Sequence, residues 1–276
     1  MAITAAEVNR LRKETGSGMM DCKNALVEAD GDFDKAIDIL RKKGQKIAAK
    51  RADRCASDGY VYAQTNAEHT FGTVLMLNCE TDFVAKTEDF IACAKKISNF
   101  ALANKIQNLQ QLLDATLDGM TISQILTELT GKTGEKVEIN RYEVMQNAYV
   151  ASYNHNGNRL ATICGFNKAG ANMDVVGHDI AMQIAAMSPI AVDADKVPQE
   201  TIDHELELAR EMTRQEGKPE NMIEKIAQGK LNKFFKENTL VNQEFIKDSK
   251  KTIAQYMKEA DSALVCEGFY RLQLGE

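Results

Sequence analysis

An α+β fold of several subdomains is what this sequence predicts, on three observations. Residues 1–44 carry the caps and breakers of three short helices. An internal repeat, offset by 89 residues, reads twice as strand, polar turn, strand and helix. Two long helical patterns between residues 199 and 237 are joined by one tight turn. The expected architecture is an N-terminal three-helix bundle, two repeated α+β core subdomains with antiparallel strands, a projecting antiparallel helical hairpin, and a C-terminal helix and strand module.

In the N-terminal segment, Thr4 and Glu7 have the spacing of a capping box, and Ile3 and Val8 that of the hydrophobic staple. The first helix is therefore expected from residue 5. The glycines of "TGSGMM" break it, and a second helix, about Met19–Ala29, is stopped by Asp30-Gly31. Asp32 caps a third, in which Phe33, Ala36, Ile37 and Leu40 share one face and Gly44 marks the end. Met19 and Met20 point about 100° apart on a helix, so both cannot sit centrally in one small core. The pattern alone favours one core and one partly exposed methionine over an adaptable contact patch. From Arg41 to Arg54 seven basic residues stand against one acid, with no aromatic interleaved. A solvated linker helix is preferred there over an RNA-contacting stripe.

The repeat aligns "GYVYAQTNAEHTFGTVLMLN" (59–78) with "AYVASYNHNGNRLATICGFN" (148–167) without a gap. Tyr60, Val61, Thr73 and Asn78 recur as Tyr149, Val150, Thr162 and Asn167. Helices are expected at about Glu88–Ala103 and Val175–Met187, with a further strand in Lys136–Met145. After the shared asparagine the copies diverge: "CETDFVAK" follows Asn78, whereas the small, polar "KAGANMD" follows Asn167. Phe83 thus has no apolar counterpart nearer than Met173. The pattern leaves two readings open, a core ring beneath an Asp82-capped turn or an exposed wedge on the strand-to-helix connection. Farther on, Gln199–Gln215 and Glu220–Glu237 form the hairpin around "EGKP". Ser249 is expected to open a short helix to Ala260, and "GFYRLQL" reads as a closing strand. The domain boundaries expected from these patterns are 1–54, 55–147, 148–190, 191–240 and 241–276.

Composition narrows the function classes. With 44% hydrophobic and 27% charged residues in 276, the chain is ordinary for a globular protein. A net charge of −6 gives no global attraction to nucleic acid. No apolar run approaches the ~20 residues of a membrane span, and "MAITAAEVNR" lacks the pattern of a secretory signal. The six cysteines form no C-x-x-C pair and are expected as reduced, buried thiols. "GKT" at Gly131–Thr133 is not a phosphate loop, because Leu126 stands where that loop needs glycine and the preceding segment looks helical. His69, His155, His178 and His204 lack metal-ligand spacing, so no catalytic residue, metal or cofactor is expected.

The segments "TGSGMMDCKNAL", "NCETDFVAK", "SYNHNGNRLA" and "GFYRLQLGE", in this order along nearly the whole chain, resemble the bacterial translation elongation factor Ts family. The resemblance implies a ubiquitin-associated-like N-terminal bundle and a cytoplasmic guanine-nucleotide exchange factor for elongation factor Tu. The partner would be met GDP-bound and nucleotide-free, without membrane or direct nucleic acid. It further implies that Thr81, Asp82, Phe83 and Val84 push into the nucleotide domain of the partner and displace its magnesium. Arg12, Met19, Met20 and Lys23 would contact the same domain, and the second subdomain would meet another domain around Gly134 and His155. With the family match added, Phe83 is expected to be an exposed wedge. The alternatives are an RNA- or ribosome-binding protein using residues 41–54 and a peptide-binding scaffold using the N-terminal bundle.

Overall fold

The computed structural model describes residues 3–276. Helix α1 (Ala5–Thr15) starts at its capping box: Thr4 Oγ1 accepts from Glu7 N at 3.3 Å, and the Glu7 carboxylate accepts from Thr4 N at 2.8 Å. Gly16 ends it in the left-handed region, at φ 65°. Helices α2 (Met19–Glu28) and α3 (Phe33–Arg51) complete the bundle. Val8, Leu11, Cys22, Leu26 and Ala36 form its core, with Ile3, Phe33, Ile37 and Leu40 packed against them. Two expectations need correction. Gly44 does not end α3, which runs on to Arg51. Gly44 is instead buried and faces Gly131 on a later helix, where the absence of side chains lets two backbones approach. The basic stretch is accordingly not a free linker. Arg41 pairs with Glu128 at 2.9 Å, Lys43 with Asp21, and Arg51 with Glu80 at 2.8 Å.

Strands β1 (Asp58–Thr65) and β2 (Phe71–Cys79) form the first hairpin. The short α4 (Asp82–Ala85) and long α5 (Glu88–Ala103) follow. Next come α6 (Leu109–Asp114), a small β3 (Thr116–Leu117) and β4 (Met120–Thr121) ribbon, α7 (Ile122–Thr133) and β5 (Glu138–Gln146). The small α6 and β3–β4 elements were not expected. Gly131, Lys132 and Thr133 lie inside α7, whose left-handed cap is Gly134. Strand order in the first sheet is β1-β2-β5.

The second copy opens with β6 (Tyr149–Asn154) and β7 (Leu160–Phe166), antiparallel from Tyr149↔Phe166 to Asn154↔Ala161. Helix α8 (Met173–Met187) follows. The two hairpin turns share their hydrogen bonds position for position. Asn66 N donates to Phe71 O and His155 N to Leu160 O, both at 2.9 Å. His69 N donates to Asn66 O at 3.0 Å and Asn158 N to His155 O at 2.9 Å. His69 and Asn158 adopt φ 54° and 51°. Identical turn geometry at the repeat offset supports one unit used twice. Ile180, Ile184 and Phe166 are fully buried in the core between α8 and its sheet. A Cβ on Gly177 would lie 2.8 Å from Ala151 Cβ, so only glycine permits that helix–sheet approach.

The helical hairpin is α9 (Gln199–Gln215) and α10 (Glu220–Asn238), with Ala209, Thr213, Ile223, Ala227 and Leu231 buried in its seam. On its outside Arg210 makes a bidentate pair with Glu224, both bonds 2.9 Å. The chain closes with β8 (Glu244–Phe245), β9 (Asp248–Thr252), α11 (Ile253–Ala260) and β10 (Cys266–Gln273). The second sheet has the order β10-β7-β6. Ser249 lies in β9 and does not open the helix. Thr252 does so, through a capping box with Gln255. All six cysteines are free, but Cys55 is exposed and Cys93 only partly buried, which corrects the expectation of six buried thiols. No helix among the described residues is long and apolar enough to cross a membrane.

The chain clusters into two units. One comprises residues up to Tyr62, Val74–Glu143 and Leu272–Glu276; the other comprises Ala63–Thr73 and Val144–Arg271.

Candidate functional site

The site begins where β2 ends. Every residue of β2 is buried, from Phe71 to Cys79, so the chain leaves the sheet from a fixed point. Thr81 then caps a single helical turn, accepting from Val84 N at 3.5 Å, and Thr87 caps the next helix, accepting from Phe90 N at 3.4 Å. Thr81 thus takes the capping role that the sequence had offered to Asp82. Asp82 instead pairs along the turn with Lys86 at 2.6 Å. Within α4, Ala85 is 7% exposed and faces inward. Two residues earlier on a helix lie about 200° around the axis, so Phe83 must face outward. It is 82% exposed, the most exposed large hydrophobic among the described residues. The core reading of Phe83 is thereby removed.

Three carboxylate and guanidinium groups set the base of this turn, and residue patterns alone had singled out none of them. The Glu135 carboxylate accepts from Glu80 N at 3.1 Å, Thr81 N at 3.0 Å and Thr81 Oγ1 at 2.6 Å. Glu80 in return accepts from Lys136 N at 2.7 Å, and Arg51 grips it with 2.9 and 2.8 Å bonds. The Lys136 backbone bond, together with Arg51, holds the Glu80 carboxyl below the usual carboxylate range. Cys79 Sγ donates to Thr81 O at 3.2 Å, and burial pushes this thiol up to about 12.

The remaining expected residues fall in several places. Arg12, Met19, Met20 and Lys23 are all exposed on α1 and α2. Met19 is 52% and Met20 63% exposed, so the expectation of one core methionine fails. The reason is that Cys22, Ala25 and Leu26 already fill the inward face of α2. Gly134, φ 74°, caps α7 immediately before Glu135, and so belongs with the turn rather than with the second copy. His155 is exposed at the tip of the β6–β7 hairpin, its Nδ1 3.0 Å from the Tyr153 hydroxyl. Among the described residues no three His, Cys, Asp or Glu side chains gather as metal ligands. What the turn presents is an apolar ring on a braced base.

Comparisons with known proteins agree in one direction. The family described as Elongation factor TS matches residues 80–276. The chain is 51% identical over 273 residues to Elongation factor Ts of Christiangramia forsetii, with 99% of both chains covered. It is 50% identical to that of Flavobacterium psychrophilum, again covering 99% of each. Over 276 residues it is 50% identical to that of Amoebophilus asiaticus, and both chains are fully covered. An exposed aromatic on a braced turn, a repeated α+β frame and these full-length likenesses lead to one conclusion: the chain belongs to the elongation factor Ts family, guanine-nucleotide exchange factors of translation that act on elongation factor Tu and are not enzymes.

Proposed function

We propose that this chain releases GDP from elongation factor Tu by pressing the α4 turn, with Phe83 at its tip, into the nucleotide domain and displacing the bound magnesium. The observation that carries the reading is the 82% exposure of Phe83 on a turn whose next inward residue, Ala85, is buried. A nucleotide on a phosphate loop is held largely by Mg²⁺ and backbone dipoles, so a group that shifts those elements weakens nucleotide binding. Linkage then requires the nucleotide to weaken factor binding by the same factor. The factor accordingly meets the GDP-bound partner, holds the nucleotide-free one, and yields to incoming GTP. Thr81 shapes the turn, Asp82 and Val84 flank the ring, and Arg12, Met19, Met20 and Lys23 contact the same domain of the partner. Gly134 and His155 supply further contacts.

We also assign the segments 1–54, 55–147, 148–190, 191–240 and 241–276 as a ubiquitin-associated-like bundle with its basic helix end, core subdomains N and C, a helical hairpin and a C-terminal module. The reaction belongs in the cytoplasm, with no membrane or direct nucleic-acid partner. The RNA-binding alternative loses support because Arg41, Lys43 and Arg51 each engage a carboxylate.

Stopped-flow release of a fluorescent GDP from elongation factor Tu tests the wedge with Phe83→Ala. An exposed ring leaves stability within about 0.5 kcal/mol of wild type. Losing a hot-spot aromatic of ~2 kcal/mol or more slows release roughly 30-fold. Release at the wild-type rate by the folded variant would overturn the reading.

A further inference from the structure

We propose that Glu135 is a positioning residue for nucleotide exchange, one that holds firm the base of the turn on which Phe83 is presented. The proposal rests on the reading of Phe83 as the wedge. A wedge acts only if its base does not yield, because a ring on a loose turn swings aside when pressed. Four-residue α4 cannot supply that stiffness, since helices this short are marginal by themselves. Nor does the ring, which is 82% exposed, gain support from burial. Buried Ala85 turns the ring outward, and the stiffness behind it comes from what holds residues 80 and 81.

That support is reciprocal. From the loop after α7, the Glu135 carboxylate takes the two backbone N–H groups entering the turn, at 3.1 and 3.0 Å, and the Thr81 hydroxyl at 2.6 Å. From the turn, the Glu80 carboxylate reaches back to Lys136 N, at 2.7 Å. Each segment thus presents a carboxylate to the other's backbone. Bonds of this charge-assisted kind are roughly twice as strong as neutral ones. Arg51 locks the Glu80 side of the clasp from the end of α3, with bonds of 2.9 and 2.8 Å. Glu135 is itself aimed by the left-handed cap at Gly134, φ 74°, and by Thr133 Oγ1, which accepts from Glu135 N at 3.3 Å. The carboxylate therefore has a fixed origin and three fixed targets. This one carboxylate bonds both N–H groups at once, so removing it unfastens the base of the turn.

The test uses the full-length chain and the variants Glu135→Ala and Glu135→Gln. Gln keeps an acceptor for the backbone N–H groups and an amide that can donate to the Thr81 hydroxyl. Hydrogen–deuterium exchange of residues 80–86 should quicken about tenfold in Glu135→Ala, with the bundle and α8 unchanged. The maximal rate of GDP release at saturating factor should fall several-fold, while the half-saturating concentration moves little. Glu135→Gln should restore most of both. Unchanged uptake in 80–86 overturns the proposal, as does quickened uptake with a wild-type maximal rate. Should Glu135→Ala raise uptake throughout the chain, Glu135→Asp, which withdraws the charge by one methylene, gives the same comparison in milder form. A parallel Phe83→Ala that exchanges normally would sink the wedge reading instead, and the uptake of 80–86 would still decide whether Glu135 fixes the turn.

Discussion

The crossing of α3 over α7 makes a prediction in which two similar substitutions have opposite signs. Gly44 and Gly131 face one another there, both helical and both without side chains. A methyl built on Gly44 lies 3.5 Å from Gly131 Cα and 3.7 Å from the Thr127 carbonyl oxygen, which is ordinary contact. A methyl on Gly131 lies 2.5 Å from Gly44 Cα. That is about 1 Å inside the optimal separation of roughly 3.5–4.0 Å, and the atom it meets is backbone that cannot rotate away. Alanine is intrinsically favoured over glycine in a helix interior by about 0.8–1.0 kcal/mol. At position 44, mid-helix, nothing opposes this gain, so Gly44→Ala should stabilise by about 0.5–1 kcal/mol. Position 131 is near the end of α7 and gains less, while overpacking costs about 1–3 kcal/mol. Gly131→Ala should therefore destabilise by roughly 1–2 kcal/mol. Urea unfolding followed by circular dichroism, with unchanged slope, measures both. A destabilised Gly44→Ala, or a Gly131→Ala more stable than wild type, would refute the described crossing.

Three further outcomes follow from the same geometry. Thr73 and Thr162 are equivalent in the repeat and both fully buried, but the Thr162 hydroxyl donates to Ala181 O at 2.8 Å while that of Thr73 has no partner among the described residues. Thr73→Val should be neutral or stabilising and Thr162→Val destabilising by about 1 kcal/mol, a difference that thermal melts resolve and whose absence would contradict the two environments. Native alkylation at pH 7.5 should modify Cys55 fast and alone. Burial pushes Cys79 and Cys266 up to about 12 and Cys93 up to about 11, keeping them as thiols, and any fast equivalent left in Cys55→Ser would count against this. Replacing Met19 and Met20 together by Ala should weaken binding to elongation factor Tu while shifting stability by no more than about 0.5 kcal/mol each, as expected for surface positions. A loss of about 2–5 kcal/mol, measured by unfolding, would instead mark a core methionine.

Local chemistry made much of this fold legible. Thr4–Glu7 determined the start of α1 because a cap and its carboxylate act within one turn, and "EGKP" determined the break between α9 and α10 for a similar reason. The repeat was legible because the same turn needs the same positions: the left-handed residues His69 and Asn158 are 89 apart. Tertiary structure decided what depends on partners distant in sequence. Gly44 looks like a helix stop until Gly131 is opposite it, and then it is a crossing point. Ser249 looks like a cap until β9 pairs with β8 and moves the helix start to Thr252. Met19 and Met20 looked half-buried because a sequence shows which residues are apolar, not how many the small core has room for. Phe83 was marked by the sequence as the residue its second copy lacks. Its outward direction is fixed by the buried Ala85, and its base by Glu135, 54 residues from Thr81. A hydrogen bond across such a separation leaves no periodic trace in the chain, so only the folded molecule brings that carboxylate and the turn together.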